Sequence, residues 1–254
     1  VRPLIGITQP DRGDRATLWV TRLALAQAGA RSIVLTAKHP GEDLVLDGLM
    51  LGGGPDVHPH LFSAAPKADY SYDHGREGME LAWLRQAWSI DLPTLGVCRG
   101  AQLMNVAAGG ALHQILSDAF PGTRYPKGWF EQIVFRKRII IAPRSRLASI
   151  VGEGDLCVNS FHSQAVSEIG QGLCVGAQEA NGAIQAIEAP TRRFWLGVQF
   201  HPEFLIYHRR FRWIFDALVR AARDAAANRA SPEESVLLHA SRHADGIDDK
   251  VDAR

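Results

Sequence analysis

A doubly wound α/β fold is predicted by three observations on this 254-residue sequence. Short apolar, β-type runs alternate with amphipathic stretches along most of the chain, the order produced when crossover helices cover both faces of a mainly parallel sheet. One buried run, Asp47 to Leu51, opens directly into Gly52-Gly53-Gly54-Pro55, a loop whose backbone amides can approach a ligand unobstructed by side chains. Hydrophobic residues make up 46% of the chain and charged residues 22%, close to the soluble average, so a large core can be buried.

Taken in order, Leu4–Ile7 reads as the first strand, Thr17–Ala28 as a helix stopped by Gly29, and Ser32–Leu35 as the second strand. The Asp47–Leu51 strand follows. Leu81, Leu84 and Trp88 recur at helical spacing within Arg76–Trp88, after which Pro93–Cys98 is a strand and Arg99–Ala108 a helix. A polar stretch from Ser117 to Gly128 reads as a loop, and Gln132–Ala142 as an added strand. Further strands are expected at Leu156–Asn159, Leu173–Ala177, Ala183–Glu188 and Trp195–Phe200, with antiparallel pairing at one sheet edge and a hairpin turn at Asn181-Gly182. The last helix is expected from Phe204, with Phe204, Tyr207, Phe211, Ile214 and Leu218 on one stripe. These elements form one domain over residues 1–224. Residues 225–254 read as a polar tail with a marginal helix around Glu233–His239.

Composition excludes several functions. With 28 basic and 27 acidic residues the net charge is +1, far from the basic footprint that nucleic acid or an anionic membrane selects. No apolar run approaches the roughly 18–20 residues that span a bilayer. The N-terminal segment reads as a strand and not as a secretory leader. Cys98, Cys157 and Cys174 are odd in number and scattered, which points to a reducing compartment, the cytoplasm.

The sharpest chemical feature is Gly96-Val-Cys98-Arg-Gly100, placed between a strand and a helix. This is the context of a nucleophile elbow, with sulfur in place of a serine oxygen. Flanking glycines remove the side chains that would clash in so tight a turn, and a helix N-terminus favours the thiolate. Cys157 and Cys174 lack that frame and read as ordinary buried cysteines. A second motif, Gly197-Val-Gln-Phe-His201-Pro-Glu203, follows a strand. In extended backbone residues two apart share a side, so Glu203 can orient His201, and Pro202 biases His201 toward that geometry. An imidazole so held can exchange a proton with sulfur. The competing cluster Asp56-Val-His58-Pro-His60 lacks the ligand spacing of a zinc site, so no metal is expected.

Four blocks in order, Gly52-Gly-Gly-Pro-Asp-Val, Gly96-Val-Cys-Arg-Gly-Ala-Gln, Val158-Asn-Ser-Phe-His-Ser-Gln and Gly197-Val-Gln-Phe-His-Pro-Glu, resemble the class I glutamine amidotransferase-like superfamily. The similarity is greatest to its gamma-glutamyl-gamma-aminobutyrate hydrolase-like branch, grouped with the C26 peptidases, and covers residues 3–220. It implies a flavodoxin-like sheet, Cys98 as nucleophile, His201 as general base and acid, and Glu203 as its orienting partner. It also implies an oxyanion hole from the backbone amides of Arg99 and Gly54, with Gly53 close behind, and a substrate pocket that includes Gln102, Ser160, Phe161 and His162. No cofactor is implied. The sequence departs from the common pattern at Phe161-His162-Ser163, where a second histidine often follows the first, and in the segment Asp69–His74. Both departures bear on the group attached to the amine.

The expected activity is hydrolysis of a small-molecule gamma-glutamyl amide through a glutamyl thioester, with a link to polyamine catabolism. A glutaminase component feeding ammonia to a separate synthase partner is the alternative, and a non-catalytic binding protein the third reading. Neither the amine nor the oligomeric state, a homo-oligomer included, is set by the sequence.

Overall fold

The computed structural model describes residues 2–12, 15–65, 72–121, 135–160 and 162–230. Its main sheet has nine strands in the order β2-β1-β3-β4-β11-β10-β9-β6-β7. Five of these, β1 (Leu4–Thr8), β2 (Arg31–Leu35), β3 (Gly48–Leu51), β4 (Thr94–Val97) and β11 (Trp195–Val198), run parallel. Every residue of β3, β4 and β11 is buried, because helices cover both faces; an uninterrupted apolar run is the sequence form of such a strand. Antiparallel pairing then extends the sheet through β10 (Ile184–Glu188), β9 (Cys174–Gln178), β6 (Lys137–Ile141) and β7 (Gly154–Val158). On β6 the pattern changes to alternation: Lys137, Ile139 and Ile141 are buried while Arg138 and Ile140 face outward.

Two apolar cores lie on the two faces. One joins Ile5, Ile7, Leu95, Val97, Leu196 and Val198 of the sheet to α1 (Arg15–Gln27), α5 (Arg146–Val151) and α6 (Arg209–Ala230). The other joins Leu49, Leu51 and Trp195 to α2 (His74–Ser89) and α3 (Arg99–Ala107). The order reverses direction between β1 and β3, and in open α/β sheets the crevice at such a switch, beyond the carboxyl ends of the strands, is where ligands bind.

Several expectations shift. The turn at Asn181-Gly182 does join β9 to β10 as expected, with Gly182 at φ 91°, but other elements differ. The last helix starts at Arg209, not Phe204: Pro202–Leu205 is a 3-10 turn, so the helical stripe does not reach Phe204 and Tyr207, which are exposed. That helix continues to Ala230, past the expected domain boundary, and the segment around Glu233–His239 lies outside the described residues. Leu116–Ala119 forms a single helical turn, α4, overlapping the start of the stretch expected as loop. A two-stranded sheet of β5 (Ala111–His113) with β8 (Ala165–Glu168), and the helix α5, were not expected. Cys157 is exposed, not buried, because it sits on the outward side of the final strand β7. Among the described residues no helix is long and apolar enough to cross a membrane.

Candidate active site

Cys98 occupies the step from β4 into α3 and has φ 52° and ψ −108°. Positive φ costs an L-residue about 1–3 kcal/mol, so the surrounding structure must impose it. Its amide donates to Val198 O at 2.8 Å, extending the β4–β11 ladder by one residue and tying this step to the strand that leads to His201. The glycines on either side are required by close approach. A Cβ on Gly96 would collide with Met104 Sδ, and one on Gly100 with the carbonyl oxygen of Leu51, so α3 can seat directly on β3 only as this sequence allows.

His201 follows β11 by a two-residue bend, with φ −104° and ψ 89°, just short of the extended region to which Pro202 was expected to bias it. Its Nδ1 lies 2.7 Å from Glu203 Oε1 and it also hydrogen-bonds to Cys98. Glu203 meets the ring from the first turn of the Pro202–Leu205 3-10 helix, so strand alternation is not what brings the two together. Burial pushes the imidazolium down, but the Glu203 carboxylate and then Cys98 outweigh it, and the pKa is pushed up to about 10. All three side chains are shielded from water: Cys98 is 6%, His201 8% and Glu203 1% exposed. In such a setting each charge interaction counts for more than in water.

The glycine loop closes the site. A Cβ on Gly53 would stand 2.8 Å from His201 Cε1 and 3.7 Å from Cys98 Cβ. Gly54 has φ 152°, which favours glycine, and a Cβ there would strike the Arg76 guanidinium. Neither the Gly53 nor the Gly54 amide has a hydrogen-bond partner among the described residues. Arg99 supplies the first amide of α3, a position with no partner inside a helix. The Gly53 residue thus lies beside Cys98 and His201, and the Arg99 amide directly follows the residue that carries the sulfur.

The remaining expected residues take different positions. Gln102 is buried and donates to Gln164 O at 2.9 Å and to Gln199 Oε1 at 3.0 Å; Gln199 Nε2 in turn donates to Cys98 Sγ at 3.6 Å. Gln102 thus reaches the sulfur through Gln199. The Ser160 hydroxyl is buried without a partner among the described residues. His162 is half-buried, with Nδ1 2.8 Å from Gln164 O, so Nδ1 carries the proton and Nε2 faces Gln185 Nε2 at 3.4 Å. Burial above all lowers its pKa to about 4, keeping it neutral near pH 7. Phe161 lies outside the described residues. His58 accepts the His60 amide at 3.1 Å and caps a 3-10 turn; among the described residues no group of side chains is arranged to hold a metal.

Sequence reasoning passed over several residues. Asn159 braces His201 twice, accepting its amide at 2.8 Å and donating to its carbonyl at 3.0 Å. Gln199 lies in the bend just after β11, two residues before His201 and within the same Gly197–Glu203 motif, a proximity that could have flagged it. Arg76, Glu77 and Glu80 of α2 are also buried beside the loop.

Known proteins resemble this chain in sequence and in fold. The family model for Peptidase C26 matches residues 3–203. A Mycobacterium tuberculosis protein, named as an unproven glutamine amidotransferase, is 32% identical over 250 residues, covering 91% of this chain and 79% of its own. Gamma-glutamyl-gamma-aminobutyrate hydrolase PuuD of Escherichia coli is 31% identical over 168 residues, 63% of this chain and 65% of its own. Among solved structures, the glutaminase domain of Trypanosoma brucei CTPS superposes with a TM-score of 0.64 at 16% identity, covering 87% of this chain and 94% of that one. A glutamine amidotransferase from Methylobacillus flagellatus gives 0.62 at 16% identity over 87% of this chain and 95% of its own. At that identity the likeness is one of fold. With a flavodoxin-like α/β sheet and four-fifths of its length matched, the chain belongs to the Peptidase C26 family of the class I glutamine amidotransferase-like superfamily, whose members are hydrolases and amidotransferases.

Proposed function

We propose that the protein hydrolyses a gamma-glutamyl amide, releasing glutamate and an amine. The observation that carries this reading is His201 held between Cys98 and Glu203, with its proton affinity raised, under the glycine loop. A cysteine paired with imidazolium is a ready nucleophile, and the same ring is a ready acid.

The thiolate of Cys98 adds to the gamma-carbonyl, forming the C–S bond while the carbonyl pair moves onto oxygen. The Arg99 amide and those of Gly54 and Gly53 receive that oxyanion. Collapse breaks the C–N bond as His201 gives its proton to the departing nitrogen, leaving a glutamyl thioester and neutral imidazole. Glu203 stabilises the ring whenever it is charged. Water, deprotonated by His201, then adds to the thioester; glutamate leaves and the thiolate–imidazolium pair is restored. No cofactor enters this sequence. Ser160, Phe161 and His162, together with Gln102 acting through Gln199, are assigned to shaping the glutamyl pocket.

A screen of gamma-glutamyl amides with mass-spectrometric capture of the Cys98 thioester tests this. Glutamate release and a glutamyl adduct on Cys98 are expected; release that survives Cys98→Ala would reject it. The amidotransferase names among the relatives favour a second reading, in which ammonia from glutamine passes to a synthase. Glutamine turnover that rises sharply only with a partner would favour that one.

A further inference from the structure

Four charged side chains are buried beside the site without touching the reacting atoms: Arg76 and Glu80 are 0%, Arg99 2% and Glu77 3% exposed. Buried ions are costly unless their hydrogen bonds are met, so such a cluster calls for a reason. Arg76 ties it to the backbone of the glycine loop. Arg76 donates through Nη2 to Gly52 O at 2.8 Å and through Nη1 to Gly53 O at 3.0 Å, while its Nε donates to Glu80 Oε1 at 2.8 Å. Glu80 Oε1 also accepts the Thr8 hydroxyl at 2.5 Å, and Thr8 Oγ1 accepts the Gly52 amide at 3.3 Å. The other oxygen, Oε2, accepts from Arg99 Nη1.

Peptide geometry turns these bonds into an orientation. In a planar trans peptide the carbonyl and the following N–H point in opposite directions. With the carbonyls of Gly52 and Gly53 drawn onto Arg76, the amides of Gly53 and Gly54 are turned away from it, and the Gly53 Cα faces His201 and Cys98. A rotated peptide would present a carbonyl oxygen to the developing anion instead. Glu80 joins the two donor sets, holding Arg76 on one oxygen and, on the other, the side chain of the residue whose amide follows the sulfur.

Resting on the reading of Cys98 as the nucleophile, we propose that Arg76 and Glu80 are positioning residues that lock the glycine-loop peptides and the Arg99 segment in the orientation an oxyanion requires. Arg76→Met and Glu80→Gln in the full chain test it with gamma-glutamyl-p-nitroanilide. The wild type is expected to turn over. The variants are expected to lose about 10²–10³-fold in kcat, as when an oxyanion donor is removed, with KM changed less than about threefold. Arg76→Lys, which keeps one donor, should recover part of the loss. Alkylation of Cys98 by iodoacetamide displaces iodide at carbon and forms no oxyanion, so its rate should stay within about threefold of wild type. Thr8→Val, of matched shape, should lower kcat in the same selective way and serves if Arg76→Met fails to fold. Folded variants with unchanged kcat, or with alkylation falling in step with kcat, overturn the positioning role alone. A wild type that releases no amine from any gamma-glutamyl amide defeats the functional reading, and the positioning role with it.

Discussion

The two halves of the sheet are built on different rules. In the parallel half, β3, β4 and β11 are buried on both faces and their carboxyl ends deliver the glycine loop, Cys98 and His201 to one place. In the antiparallel half, β6 and β7 alternate buried and exposed residues. Its contribution to the site is support: Asn159, just beyond β7, grips the backbone of His201. Chemistry is concentrated where strands end together, and adjustment where they alternate.

Substitution can break this contrast. Cys98→Ala should reduce glutamate release by about 10⁴-fold or more, the scale seen when a covalent nucleophile is removed, whereas Cys157→Ala on the exposed side of β7 should leave it unchanged. Steady-state assays of both variants check the pair. Gly100→Ala, whose Cβ would collide with Leu51 O, should cost about 3 kcal/mol or more of stability. Gly182→Ala, in the β9–β10 turn with nothing near but φ 91°, should cost about 1 kcal/mol. Urea midpoints of the two variants measure the difference.

Smaller effects sharpen it. Asn159→Ala strips partners from two buried backbone groups and should cost about 1–3 kcal/mol, with a fall in kcat as His201 loosens. Linkage gives a pH signature. The pKa of His201 is raised from 6.5 to about 10 in the folded chain. Its stabilising contribution is therefore complete below the unfolded value and is lost as pH climbs through the folded one. Unfolding free energy should decline across that alkaline window in the wild type and less so in His201→Asn. The least change is expected at Ile140, 46% exposed on β6: Ile140→Thr should stay within about 0.5 kcal/mol, while Ile141→Ala on the same strand should cost about 2–5 kcal/mol.

The same division explains what the sequence disclosed. Doubly buried strands appear as unbroken apolar runs, and the Cys98 turn and the His201-Pro-Glu203 step are local, so both could be read along the chain. Strands as short as Ala111–His113 and Ala165–Glu168 give too few alternations to register, and their pairing is set by tertiary contact. Arg76, Glu77 and Glu80 escaped for the opposite reason: a search for apolar stripes assigns charges to the solvent, yet on α2 they lie on the buried face beside Met79 and Trp83. Their partners are distant in the chain, main-chain oxygens of the glycine loop for Arg76, the His58 amide for Glu77 and the Thr8 and Arg99 side chains for Glu80, which no periodicity reveals. The carboxylate contact of His201 was anticipated, though the 3-10 turn that delivers it was not.

The seat of α3 on β3 has a mechanical corollary. With Gly100 flush against the Leu51 carbonyl, the first helical turn and the neighbouring strand form one rigid casting that tolerates not even a methyl group. Any side chain added at that joint would push the helix off the strand and displace Cys98 with it.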